Sequence, residues 1–97
     1  MPFIQLIEYT TSRWDEMQAL VMQYQKDTAG KRTNVRSTVC VDRDTPHRYV
    51  VVVEFPSYEA AMENSNLPET AALAEAMMPL CDAPPVFRNL NVAGVLD

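Results

Sequence analysis

The sequence predicts one α+β domain, a four-stranded antiparallel sheet with both of its helices on one face. Three observations predict it. Segments follow in the order strand, helix, strand, strand, interrupted helix, strand. The two middle strands are joined by a turn too short for anything but a hairpin. The 97 residues fit a single domain, 1–97, with no linker, repeat or low-complexity stretch between its parts.

The first strand is Phe3 to Tyr9, FIQLIEY. Phe3, Ile7 and Tyr9 fall on one side and Ile4 and Leu6 on the other, so both sides are apolar, as in a strand covered twice. Thr10, Thr11 and Ser12 end it, and Ser12 with Asp15 reads as a capping box using the shorter acid. Trp14, Met17, Leu20, Val21 and Tyr24 then recur at three- and four-residue spacing, one apolar stripe on a helix that Gly30 stops.

Asn34 to Arg43 alternates, with Val35, Val39 and Val41 against Arg36, Thr38 and Asp42. Asp44-Thr45-Pro46 is turn chemistry, and His47 to Phe55 returns as the partner strand. Its centre, Tyr49 to Val53, is a run of five β-formers and predicts a strand buried on both faces. Ser57 caps a short helix through Tyr58, Ala61 and Met62; Asn64-Ser65-Asn66 breaks it, and Pro68 restarts it with Leu73 and Met77 turned inward. Pro79 and Pro84-Pro85 end this helix. Val86 to Val92 is the last strand.

This is the ferredoxin-like βαββαβ order, and its helices cover only one face of the sheet. The other face, apolar on the first and third strands, calls for a partner, and a second copy of the sheet supplies one. A homodimer through that face is therefore expected. A chain of this length has a thin core of its own, and its 47% hydrophobic content exceeds what a lone small sheet buries.

Composition excludes several classes. A formal net charge of −5 argues against a nucleic-acid or anionic-membrane partner, which would need a concentrated basic face. Lys26, Lys31, Arg32 and Arg36 read as solvated charges around the first loop. Cys40 and Cys81 form no CxxC or Cys/His array, so no metal is expected, and both read as small buried hydrophobes. MPFIQLIEYT lacks the pattern of a signal peptide and no stretch is long enough to span a membrane, so a cytoplasmic protein is expected. His47, the single histidine, supports no triad and reads as an exposed turn residue. With two glycines in the chain there is no phosphate-cradling loop.

Three segments carry a resemblance: Val53-Glu54-Phe55 closing the third strand, Ser57-Tyr58-Glu59-Ala60-Ala61, and the restart Asn66-Leu67-Pro68-Glu69-Thr70. Together they make the whole chain resemble the dimeric α/β-barrel superfamily, most closely its antibiotic-biosynthesis-monooxygenase-like branch. The resemblance implies a fold more firmly than a chemistry. It implies that the chain, if an enzyme, is a cofactor-independent monooxygenase whose activated substrate meets oxygen in a pocket between sheet and helices. Where that branch often has His after the Pro, this sequence has Glu69, so a haem-degrading reading lacks its ligand.

The interrupted helix leaves room for such a pocket, expected to be walled by Trp14, Tyr24 and Met62 with Asn66 and Glu69 at its mouth. Each residue has a plainer reading. Trp14 and Tyr24 are also what a core stripe looks like, Met62 fills gaps, and Asn66 caps. Glu69, near apolar walls, is the candidate base, its pKa raised so that it takes a proton from a phenol or enol. The functional expectation is a pocket for a small aromatic or hydrophobic molecule, with monooxygenase activity. The alternatives are a non-catalytic dimeric barrel that binds a ligand or partner, and a ferredoxin-like regulatory module such as an amino-acid sensor.

Overall fold

The computed structural model describes residues 2–96. Its elements are β1 (Phe3–Thr10), α1 (Trp14–Asp27), β2 (Arg36–Val41), β3 (Arg48–Phe55), α2 (Tyr58–Ser65), α3 (Pro68–Met77), a 3₁₀ turn (Met78–Leu80) and β4 (Val86–Asn91). The sheet is antiparallel in the order β2-β3-β1-β4, the expected βαββαβ arrangement with its second helix broken in two. The two most β-prone segments therefore take the two inner positions.

Register explains the division of faces. Phe3 pairs with Phe55, Ile7 with Val51 and Tyr9 with Tyr49, so these side chains share one face, and the helices pack there. Phe3, Phe55 and Ala61 form a buried cluster under α2, with Val53, Ala60 and Met62 against it. Tyr9, Met17 and Leu80 form a second cluster under α1, flanked by Trp14, Leu20, Tyr49 and Met77. Met17 is fully enclosed.

The opposite face carries Ile4, Leu6, Val50, Val52 and Leu90, which the same register brings side by side. Charged side chains flank them: Arg36 pairs with Glu54, and Glu8 holds both Arg48 and Arg88. The run Tyr49–Val53 was expected to be buried twice, and here it is only half-buried. Within one chain its outer face is covered only by neighbouring strands and these charged side chains.

Three local expectations are corrected. The residue that caps α1 is Arg13, with no side-chain cap, because the hydroxyl that reaches the start of the helix belongs to Thr11 and accepts from the Arg13 N–H at 3.0 Å. β2 is shorter than Asn34–Arg43, and Cys40 on it is exposed, because an edge strand beyond the helices has nothing over either face. Cys81 is half-buried and packs against the Tyr9 cluster, where burial pushes its thiol pKa up. Ser57 caps α2 as expected, accepting the Ala60 N–H at 3.1 Å, and Pro68 opens α3. No helix among the described residues is long and apolar enough to cross a membrane.

Candidate functional site

Two concave regions lie on the helix side of the molecule. The first sits where β1 hands over to α1 and the β2–β3 turn closes beside it. Thr11 builds it. Fully enclosed, its hydroxyl donates to the Leu80 carbonyl at 2.6 Å, and its backbone N–H donates to the His47 carbonyl at 2.9 Å. These bonds tie the start of α1, the start of β3 and the 3₁₀ turn to one residue. Asp42 fixes the turn itself, accepting the N–H groups of Asp44 and Thr45 at 2.9 and 3.1 Å. Those bonds and Arg48 hold the Asp42 carboxyl below its ordinary pKa, with the Asp44 N–H the largest cause.

The resulting open cleft of about 490 Å³ is lined by Thr11, Trp14, Asp15, Glu16, His47 and Tyr49, among others. Trp14 stacks on Tyr49, ring centroids 4.4 Å apart and planes 8° from parallel, and Tyr49 stacks in turn on Tyr9 at 5.6 Å. His47 has φ of 65°, the left-handed region, in which Asn, Asp and His are the enriched non-glycine residues. At the rim Arg13 forks onto Glu16 at 2.5 and 2.9 Å, an exposed pair.

The second region is a crevice of about 210 Å³ between α1 and α3, lined by Leu20, Gln23, Tyr24, Glu69, Leu73 and Ala76, among others. A polar chain runs beside it at the break between α2 and α3. The Tyr24 hydroxyl hydrogen-bonds the Thr70 hydroxyl at 2.8 Å and accepts from the Asn64 amide at 3.3 Å. Asn64 also accepts the Thr33 N–H at 3.4 Å. Lys31 donates to Glu69 at 2.5 Å, and this bond holds the Glu69 carboxyl below its ordinary value. The expected raised pKa is thus reversed, because the loop after α1 brings an ammonium group to the carboxylate and outweighs the upward push of burial.

The predicted residues are therefore distributed. Tyr24 and Glu69 meet in the crevice. Asn66 caps α2 at the break. Trp14 lines the other cleft, ten residues or about 15 Å along the same helix. Met62 packs on the Phe3–Phe55 cluster, about 20 Å along the strand from Tyr9. Sequence reasoning overlooked Tyr49 and Lys31. Pairing β1 with β3, which sets Tyr9 opposite Tyr49, would have exposed the first; nothing local marks the second. Among the described residues no group of three or more His, Cys, Asp or Glu side chains is placed to hold a metal ion.

No family model matches the chain, and no curated protein matches it by sequence. Solved structures do match, over essentially its whole length. SnoaB, a cofactor-independent oxygenase from Streptomyces nogalater, superposes with a TM-score of 0.82 at 17% identity, covering 98% of this chain and 96% of that one. Rv0793 from Mycobacterium tuberculosis gives 0.82 at 13% identity with 100% of both chains covered. A further antibiotic biosynthesis monooxygenase gives 0.76 at 13%, covering 97% of this chain and all of the other. Identities this low speak to architecture, and on architecture they agree with the element order and the four-stranded antiparallel sheet. The chain has the βαββαβ fold, with a four-stranded antiparallel sheet, of these solved structures.

Proposed function

We propose that the chain binds a small aromatic or hydrophobic molecule and acts on it as a cofactor-independent monooxygenase. The observation that carries this reading is the end-to-end likeness to SnoaB, whose chain is a cofactor-independent oxygenase of the same fold. In this proposal the α1–α3 crevice receives the substrate, with Leu20, Leu73 and Ala76 as apolar wall and Tyr24 and Glu69 as polar contacts. Glu69 is ionised across the neutral range and accepts a proton from a phenol or enol, and the Lys31 ion pair makes it a weaker base than an apolar pocket would. Removing that proton raises the electron density of the substrate, which is then oxidised by O2: an anthrone-like CH2 keeps one oxygen atom as a new carbonyl, and the other leaves as water with the two hydrogens lost from that carbon. Two copies pair through the open sheet face, where Ile4, Leu6, Val50 and Val52 are apolar and the Arg36–Glu54 and Arg88–Glu8 pairs lie at the margin.

Oxygen uptake with a panel of hydroquinones and anthrone-like phenols tests the activity, with the heat-denatured protein as blank. Protein-dependent uptake matched by oxidised product is the expected result. With an active substrate, Glu69→Gln keeps the fold and lowers turnover by roughly 10²–10⁴-fold, the range for a lost general base. Unchanged turnover in the folded variant would take Glu69 out of the mechanism. An inert panel combined with tight binding would favour the non-catalytic barrel.

A further inference from the structure

We infer that the cleft at the hairpin end of the sheet is a separate binding site for a neutral planar aromatic molecule carrying a phenolic hydroxyl, its ring laid on Trp14 and its hydroxyl turned to His47. The site is distinct from the α1–α3 crevice, and the inference does not rest on turnover.

The stack Tyr9–Tyr49–Trp14 runs from the core outward. Tyr9 is 4% exposed, whereas Tyr49 and Trp14 are half-buried and line the cleft. Tyr49 takes up one face of Trp14 at 4.4 Å and 8°, and the indole lines the cleft. A fourth plate laid there continues a ladder already built to stacking distance, and an indole is the best of the aromatic platforms.

The rim is rigid where it needs to be. The His47 carbonyl is held by the enclosed Thr11, the preceding turn is tied by Asp42, and the residue sits at φ 65°. Glycine would suit that backbone as well, and the imidazole that stands there instead lines the cleft. It offers a hydrogen bond to a group lying over the Trp14 ring. Charge then selects among aromatics. Arg13 and Glu16 neutralise one another, which leaves Asp15 as a carboxylate on the lining, so an aromatic hydroxyl is accepted and an aromatic carboxylate opposed. A volume of about 490 Å³ admits two or three fused rings.

The chain has one tryptophan and one histidine, so an indole N–H resonance and an imidazole signal each report this site alone. Titration with 2-naphthol, followed by nuclear magnetic resonance, is expected to shift both signals with one saturating curve. The Ala72 and Ala76 signals of the crevice serve as the control. 2-Naphthoate, with the same rings and an anionic group, is expected to bind at least roughly tenfold more weakly. His47→Gly keeps the fold, since glycine suits that φ, and weakens 2-naphthol roughly three- to tenfold, the loss of one hydrogen bond. Trp14→Leu weakens it more than His47→Gly does. No movement of the indole signal at millimolar 2-naphthol, or movement confined to the crevice, would overturn the site. Equal affinity for the naphthoate, or unchanged affinity in His47→Gly, would overturn the assigned ligand chemistry. Saturable binding here leaves this site standing whatever the oxygen-uptake panel shows, because turnover is assigned to the crevice.

Discussion

The two faces of the sheet are built from neighbouring residues of the same strands and by opposite means. The covered face is aromatic and sealed: Phe3, Tyr9 and Phe55 lie within 3–4% of full enclosure, Met17 of α1 packing on Tyr9 and Ala61 of α2 on Phe3 and Phe55. The open face is aliphatic and charged: Ile4, Leu6, Val50 and Val52 lie between the Arg36–Glu54 pair and the Glu8 carboxylate shared by Arg48 and Arg88. One face is finished within the chain. The other has an apolar centre with charges arranged about it, and it is the face through which two copies are proposed to pair. The contrast means that the two faces should fail under different perturbations.

The largest effect is expected on the covered face. Met17→Ala removes a fully enclosed side chain that α1 cannot collapse to replace, and costs about 2–5 kcal/mol in urea or thermal unfolding. A loss well under 1 kcal/mol would mean that the covered core is looser than its burial indicates. Leu6→Arg on the open face is expected to change stability of the separate chain little while abolishing pairing. Light scattering across a dilution series should then fall from about twice the chain mass to one. A native protein that is already monomeric at micromolar concentration would break the comparison, because the open face would then be a finished surface.

The next test uses adjacent residues that point to opposite faces. Burial, with smaller contributions from Cys81 and Tyr49, pushes the Tyr9 hydroxyl from 10.0 up to about 12. Below pH 10 both states hold the proton; between about 10 and 12 only the unfolded chain loses it, so stability falls across that window. By pH 12 the loss attributable to Tyr9 amounts to about 2–3 kcal/mol. Tyr9→Phe should flatten this alkaline limb, leaving the part due to Cys81. An alkaline limb unchanged in Tyr9→Phe would assign it elsewhere.

The smallest effect belongs to the open face in acid. The hydrogen bond from Arg88, ahead of the charges of Arg88 and Arg48, holds Glu8 below its ordinary 4.5. Its contribution is complete above about pH 4.5 and is lost as pH falls through the lower folded value. Denaturation midpoints for Glu8→Gln should converge on the native protein as pH drops below 4.5, with the residual acid slope carried by Asp42, Glu16 and Glu69. If the two proteins keep a constant separation down to pH 2, Glu8 is not a pH-linked contributor.

Local chemistry made much of the architecture legible. Alternation along Phe3–Tyr9 and the Val50–Val53 run marked the inner strands and both their faces, because side-chain direction in a strand has period two whatever surrounds it. Ser57 and Pro68 marked the two halves of the broken helix, because a cap and an N1 proline act within one turn. The candidate site was legible only in pieces. Trp14 and Tyr24 fall on one apolar stripe, yet three helical turns separate them, and they line different concavities.

By itself, the sequence determined the order of elements, the hairpin, the interruption before Pro68 and which residues share a face, since each follows from neighbours a few positions apart. Tertiary structure alone decided that Tyr49 stands under Trp14, that Thr11 instead of Ser12 organises the start of α1, and that Lys31 holds Glu69 ionised. Stacking, a shared hydroxyl and an ion pair join groups distant in the chain. Their geometry is set by how the sheet twists and the helices seat upon it, and no local spacing records that.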